Sequence, residues 1–290
     1  MDNVLEVKSL SKSYADFTLH KISFSLPMGY IMGLIGPNGS GKTTTTKSIL
    51  DMVKPDGGSI TVFGKDHIAA GPEIKKKIGA VFDSSYFVDE WNMTDVEKAF
   101  RLFYSDWDSK KYRSLLSRFR ISQEKRVKEL SKGMQMKLML ACAFSYDATL
   151  LILDEPTSGL DPVSRDELLE ILSDYIEDGK HSVLFSTHIT GDLEKIADYI
   201  TYINFGELIF TGSKEDFLDS YRIVNGDRKQ LTPELENRLI GMRSFATGYE
   251  ALIKTEDLPY ALQAESIAAS IDDIVVFMSR QTKKREEDCK

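Results

Sequence analysis

The stretch from Gly36 to Thr44, GPNGSGKTT, sets three glycines and a lysine between an apolar run and a row of threonines. Glycine in an ordered segment costs conformational entropy, so a local requirement must compensate. Gly36, Gly41, Lys42 and Thr43 match the spacing G-x-x-x-x-G-K-S/T, whose backbone N–H groups turn inward around phosphate oxygens. Gly36, Gly39 and Gly41 permit the dihedrals and the close approach. The helix opening near Gly41 adds the positive end of its dipole. Lys42 then reaches the β- and γ-phosphates, and the Thr43 hydroxyl ligates Mg²⁺. Asn38, Ser40 and Thr44 complete the expected ring of contacts. The plainer alternative is an ordinary strand–turn–helix connection.

A phosphate loop alone says only that a nucleoside triphosphate binds. The second half of such a site is expected in LLILDEPTSGLDP, where an apolar strand ends at Leu153 and delivers Asp154 and Glu155. Ligands of open α/β sheets bind at the carboxyl ends of strands. The first carboxylate suits Mg²⁺, directly or through water, and the second can take a proton from an attacking water. A helix-capping aspartate with a neighbouring surface glutamate is the bland reading of the same pair.

These residues need a scaffold that brings several strand ends together. Short apolar runs beginning at Tyr30, Lys77, Ala148, His181 and Tyr199 read as strands. Amphipathic helical patterns separate several of them, which points to parallel βαβ units. Residues 5 to 26 alternate polar and apolar and read as antiparallel strands. Residues 88 to 148 read as an almost wholly helical subdomain. Near Arg222 the pattern resets. The remainder predicts a helix near Thr232, a strand pair around Tyr249 and a last helix over SIAASIDDIVVFMSR. The expected division is therefore 1–221 and a small α+β appendage over 222–290.

The chain has 290 residues, 42% of them apolar, and a formal charge of −8. That supports a packed core and argues against a general nucleic-acid binder. Cys142 in an apolar helix and Cys289 in a charged tail make no disulfide framework, which fits a reducing cytosol. The first residues lack a signal-peptide pattern, and no apolar run is long enough to span a membrane. Neither internal repeats nor low-complexity segments are visible.

Further motifs make a resemblance specific. LSKGMQ, from Leu130 to Gln135, resembles the LSGGQ signature of ABC ATPases. SGLD, from Ser158 to Asp161, resembles their D-loop, and STH, ending at His188, their switch histidine. Tyr14 stands where the family has an aromatic that stacks on adenine. The resemblance covers about Leu5 to Tyr221, with its motifs in unbroken order. The resemblance implies an α/β P-loop NTPase of the ABC type, with an antiparallel β subdomain, a helical subdomain and the C-terminal appendage. It implies ATP and Mg²⁺ as ligands and two ATPase domains, identical or related, facing head to tail around two ATP molecules. Each ATP would touch the phosphate loop of one and Ser131, Gly133 and Met134 of the other. Ser131 suits a helix cap there, and Gly133 allows backbone approach. His188 would bond the γ-phosphate and position the water. A separate membrane subunit would be the transport partner, which places the chain at the cytoplasmic face of the membrane.

Two charged residues stand where the family pattern has neutral ones. Lys132 replaces the first glycine of the signature, and Asp83 replaces a glutamine that contacts Mg²⁺ and the attacking water. Asp83 is expected in the metal shell, unless it points elsewhere. The aromatics after it, Tyr86 to Trp107, are either the groove for a coupling helix of the membrane subunit or the subdomain's core. The branch resembles bacterial exporters, and within it the peptide exporters of the phenol-soluble-modulin type. A non-transport ABC ATPase acting on nucleic acid or ribosomes is the runner-up, and a sensory module that binds ATP without turnover the third reading. The first predicts a six-span membrane protein in a neighbouring reading frame.

Overall fold

The computed structural model describes residues 2–261 and 264–288, with side chains through residue 281 apart from Gln230. Cys289 lies outside the described residues. The chain opens with the antiparallel pair β1 (Asn3–Ser13) and β2 (Thr18–Pro27), then β3 (Ile31–Ile35) and α1 (Lys42–Ile49). Next come β4 (Gly57–Val62), β5 (Lys65–Asp66), α2 (Gly71–Lys75) and β6 (Ile78–Val81). Helices α3 (Met93–Phe103), α4 (Ser109–Arg118) and α5 (Lys132–Ser145) fill the stretch expected to be helical. Then follow β7 (Leu150–Asp154), α6 (Pro162–Ile176), β8 (Ser182–Thr187), α7 (Thr190–Ile196), β9 (Tyr199–Asn204), β10 (Glu207–Ser213) and α8 (Lys214–Asp219). The last part contains β11 (Tyr221–Gly226), α9 (Pro233–Glu236), β12 (Ile240–Ser244), β13 (Tyr249–Lys254), β14 (Glu265–Ala268) and α10 (Ile271–Asp288).

A ten-stranded sheet runs in the order β5-β4-β1-β2-β10-β9-β3-β8-β7-β6. Its β9-β3-β8-β7-β6 half is parallel, and the β1, β2, β4 end is antiparallel. Every residue of β3, β7 and β8 is buried. Continuous apolar strands are what a parallel sheet covered on both faces requires. Alternate side chains divide between the faces: Ile31, Ile35, Leu151 and Phe185 pack with the helices, while Met32, Leu34, Ile152 and Leu184 pack toward the antiparallel end. The run from Tyr199 folds back on itself, because Phe205 and Gly206 both adopt positive φ between β9 and β10. Two such residues make the turn that matches hairpin twist.

Register is what matters for chemistry. Leu34 pairs with Ser186, and Ser186 with Asp154, so the carboxyl ends of β3, β8 and β7 are level. Val81 pairs with Leu153, which brings the end of β6 to the same edge.

The second sheet, β12-β13-β11-β14, is antiparallel and starts at Tyr221, which pairs with Lys254. Here one expectation is corrected. The first residues of SIAASIDD form strand β14 against β11, with Ile267 opposite Ile223. Helix α10 begins only at Ile271, where Ser270 and Asp273 bond each other's backbone N–H at 3.1 and 3.0 Å. This reciprocal cap fixes the helix start. Although α10 closes the appendage in sequence, its Ile271, Ile274 and Phe277 belong to the main core together with Leu193 and Tyr202.

Candidate nucleotide site

Behind β3 the chain turns through Gly36 into α1. At Gly36 a Cβ would stand 2.1 Å from the Ile203 carbonyl oxygen, and at Gly41 (φ +112) 2.6 Å from the Leu19 side chain. Neither position accepts another residue without displacing the sheet or the β2 core. Gly41 precedes α1 with no side chain capping the helix. The first N–H groups of α1 therefore keep their capacity for an anion.

Lys42 is buried, and its ammonium donates to the Gly36 carbonyl at 2.8 Å and the Pro37 carbonyl at 3.3 Å. Burial lowers its pKa from the ordinary lysine value, with the Glu155 carboxylate acting in the opposite direction. Glu155 Oε1 lies 3.5 Å from the ammonium. Its other oxygen, Oε2, lies 2.7 Å from His188 Nδ1 and accepts the His188 amide at 3.3 Å. Glu155 itself has φ +52, a strained value for a residue with a Cβ. Its amide bonds the Ser186 carbonyl at 3.0 Å, which anchors the turn after β7 to β8. Such local strain is typical of positions that aim a functional group.

The carboxylate of Asp154 is buried, accepts the Ser186 hydroxyl at 2.5 Å and stands 3.4 Å from the Thr43 hydroxyl. These are hard oxygen donors at the end of a strand, suited to Mg²⁺ beside phosphates. Asp83, Asp154, Glu155, His188 and the loop Asn38–Thr44 all line one pocket of about 810 Å³.

Comparison with known proteins agrees with this geometry. Residues 19–158 match the family model described as ABC transporter. The chain is 33% identical over 243 residues to Nod factor export ATP-binding protein I of Sinorhizobium fredii, covering 80% of this chain and 71% of that one. It is 32% identical over 214 residues to the bacitracin transport ATP-binding protein BcrA of Enterococcus faecalis, covering 72% and 69%. A solved ATP-binding subunit of an ABC transporter superposes with a TM-score of 0.67 at 29% identity, over 73% of this chain and 91% of that one. A second, cbiO1 of Clostridium perfringens, described as part of the ABC transporter complex cbiONQ, gives 0.65 at 26%, over 75% and 91%. The chain belongs to the ABC transporter ATP-binding family. It binds ATP, and it is an ATPase whose hydrolysis is coupled to transport.

Within this ABC ATPase the signature residues take a separate position. Ser131 caps α5 by accepting the Met134 amide at 3.3 Å. Ser131, Gly133 and Met134 are not in the wall of the Lys42 pocket. Asp161 of the D-loop caps α6 through the amides of Val163 and Ser164, both at 3.1 Å. Tyr14, between β1 and β2, is 47% exposed and also outside that wall, with Lys12 over its ring at 5.7 Å. The aromatic rings that do line the pocket are those of Phe17 and Phe205, besides that of His188. Asp83 lines it too, but its Oδ1 is paired with the ammonium of Lys132.

Sequence reasoning missed Phe17 and Ser186. Ser186 precedes His188 by two residues, and its in-register position beside Asp154 follows from the strand alignment. Phe17 had no signal beyond its closeness to Tyr14. Cys142 is fully buried in α5, and burial pushes its thiol pKa up. It has no part in this chemistry. Among the described residues no helix is long and apolar enough to cross a membrane.

Proposed function

We propose that this ABC ATPase drives export through a separate membrane subunit, by closing two ATPase domains head to tail around ATP. The observation that carries the reading is the separation of the two half-sites. Lys42, Asp154, Glu155 and His188 share one pocket, while Ser131 and Gly133 stand outside it. A second copy, or a related subunit, supplies the missing signature face.

In this reading the phosphates lie across the α1 N-terminus and take the Lys42 ammonium. Thr43 and Asp154 would hold Mg²⁺, which would neutralise phosphate charge. Glu155 accepts the proton of the attacking water, and His188 fixes Glu155 and the γ-phosphate side of the pocket. Adenine lies toward Phe17 and Tyr14. Asp83 has one oxygen committed to Lys132, so we assign the metal to Thr43 and Asp154.

The aromatic stretch serves both roles weighed from the sequence. Phe87 is buried core, whereas Phe103 is 74% exposed. Phe103, Tyr86, Phe82 and Met52 border an apolar groove of about 630 Å³. We assign this groove to a short segment of the membrane subunit, for which exposed aromatic anchors are suited. Names such as Nod factor export and bacitracin transport among the relatives support export, and a peptide is the cargo class we infer. Their transport names leave the nucleic-acid alternative without support.

The test is co-expression with the six-span membrane protein that this reading predicts in a neighbouring reading frame. The two should co-purify, and Phe103→Asp should abolish the complex while leaving ATP binding intact. Undiminished co-purification of the variant would remove the groove assignment. Failure of the wild-type chain to bind any membrane protein would remove the transport partner.

A further inference from the structure

Asp83 and Lys132 each put a charge where the family motif has a neutral residue, and the fold pairs them with each other. Asp83 follows β6 and lines the nucleotide pocket. Lys132 is the first residue of α5, directly after the cap Ser131. The Lys132 ammonium and Asp83 Oδ1 form an ion pair, with both side chains about half exposed. The same ammonium lies beside the D-loop, 3.5 Å from where a Cβ on Gly159 would stand.

The pocket wall already carries Asp16, Asp154 and Glu155 against Lys42. A further carboxylate there opposes a triphosphate. At a partly exposed site, one uncompensated unit charge several Å from an anion alters binding on the order of fivefold. Exposed ion pairs contribute little to stability. The consequence of this one therefore lies in the field at the nucleotide, not in holding the fold. Two replacements that each look unfavourable alone become neutral together.

We propose that Lys132 is a positioning residue for the nucleotide site: it neutralises Asp83 and holds that carboxylate toward α5, so that a charged residue stands where the family pattern has a neutral one. This rests on the assignment of the Lys42 pocket to ATP.

The test compares wild type, Lys132→Ala, Asp83→Asn and the double variant. ATP binding is measured by calorimetry, with and without Mg²⁺, at protein concentrations where light scattering reports a monomer. Lys132→Ala should weaken binding about fivefold, and more without Mg²⁺, when no metal charge offsets the bare carboxylate. Asp83→Asn, which leaves the Lys132 ammonium unpaired, should bind at least as tightly as wild type and up to about fivefold more tightly. The double variant, with neither charge present, should return to within about twofold of wild type, although it still lacks the lysine. A Lys132→Ala loss that persists undiminished with Asn at 83 would overturn the proposal, because the lysine would then act on the phosphates directly. Wild-type affinity in Lys132→Ala would overturn it as well. Binding by wild type that Lys42→Ala fails to reduce would instead refute the ATP-site assignment.

Discussion

His188 Nδ1 and Lys42 Nζ hold the two oxygens of Glu155 from opposite sides, at 2.7 Å from Oε2 and 3.5 Å from Oε1. Both oxygens of the proposed general base therefore face protein groups. A neutral imidazole donates through only one nitrogen. If Nδ1–H serves Glu155, the ring can also donate to a phosphate only as imidazolium. The Lys42 ammonium has a clearer alternative. Phosphate oxygens bound at the α1 N-terminus would compete for it and release Oε1 for water.

Glu155→Gln should accordingly keep ATP binding and cut hydrolysis by about 10²-fold or more, the scale of a lost general base. Affinity for ATP should be equal or higher, since the neutral amide competes less for Lys42. Single-turnover hydrolysis and calorimetry check both halves. An unchanged rate would show that Glu155 is not the base.

Lys42→Ala should lose tight ATP binding, and Ser131→Arg should bind ATP at its own phosphate loop yet fail to dimerise. Each should be inactive alone. A mixed dimer has one site carrying both lesions and one carrying neither, so mixing should restore hydrolysis. Wild-type turnover by monomeric Ser131→Arg protein would sink the shared-site arrangement.

Metal dependence separates two aspartates in one pocket. Asp154→Asn should raise the Mg²⁺ concentration for half-maximal hydrolysis by about tenfold or more, a loss typical of charged groups. Asp83→Asn should leave it nearly unchanged, because its Oδ1 already serves Lys132. A rise in the Asp83 variant equal to that of Asp154→Asn would return Asp83 to the metal shell.

Phe277 tests whether the appendage is part of the ATPase core. Its ring is 1% exposed, lies under Arg243 at 4.6 Å and packs in the main cluster. Phe277→Ala should destabilise the chain by about 3–5 kcal/mol, the usual cost of emptying an aromatic core site. Hydrolysis should fall as well. Asp272 of α10 accepts the Thr190 hydroxyl at 3.0 Å, and Glu194 accepts the Ile271 amide at 2.9 Å, which ties α10 to the helix just after His188. Urea unfolding followed by the fluorescence of Trp91 and Trp107, which are half-buried against the main core, gives the stability. A midpoint unchanged from wild type would mean that the appendage unfolds independently.

The sequence by itself determined whatever depends on neighbours along the chain. The glycine–lysine spacing dictates a phosphate loop. The apolar run before Asp154 dictates a buried strand that ends in carboxylates. Ser131 before a helical run dictates a cap, and the 3.3 Å bond to Met134 is that cap. Tertiary structure decided what depends on register and on contacts between distant segments. The alignment of Leu34, Ser186 and Asp154 sets which strand ends meet. The pairing of Asp83 with Lys132 joins two loops whose charges carry no mark of each other in sequence. SIAA reads as helix from its composition, yet β11 offers it an open edge, and ladder hydrogen bonds outweigh a weak local propensity. The placement of α10 against α7 follows from apolar faces that only the finished core brings together.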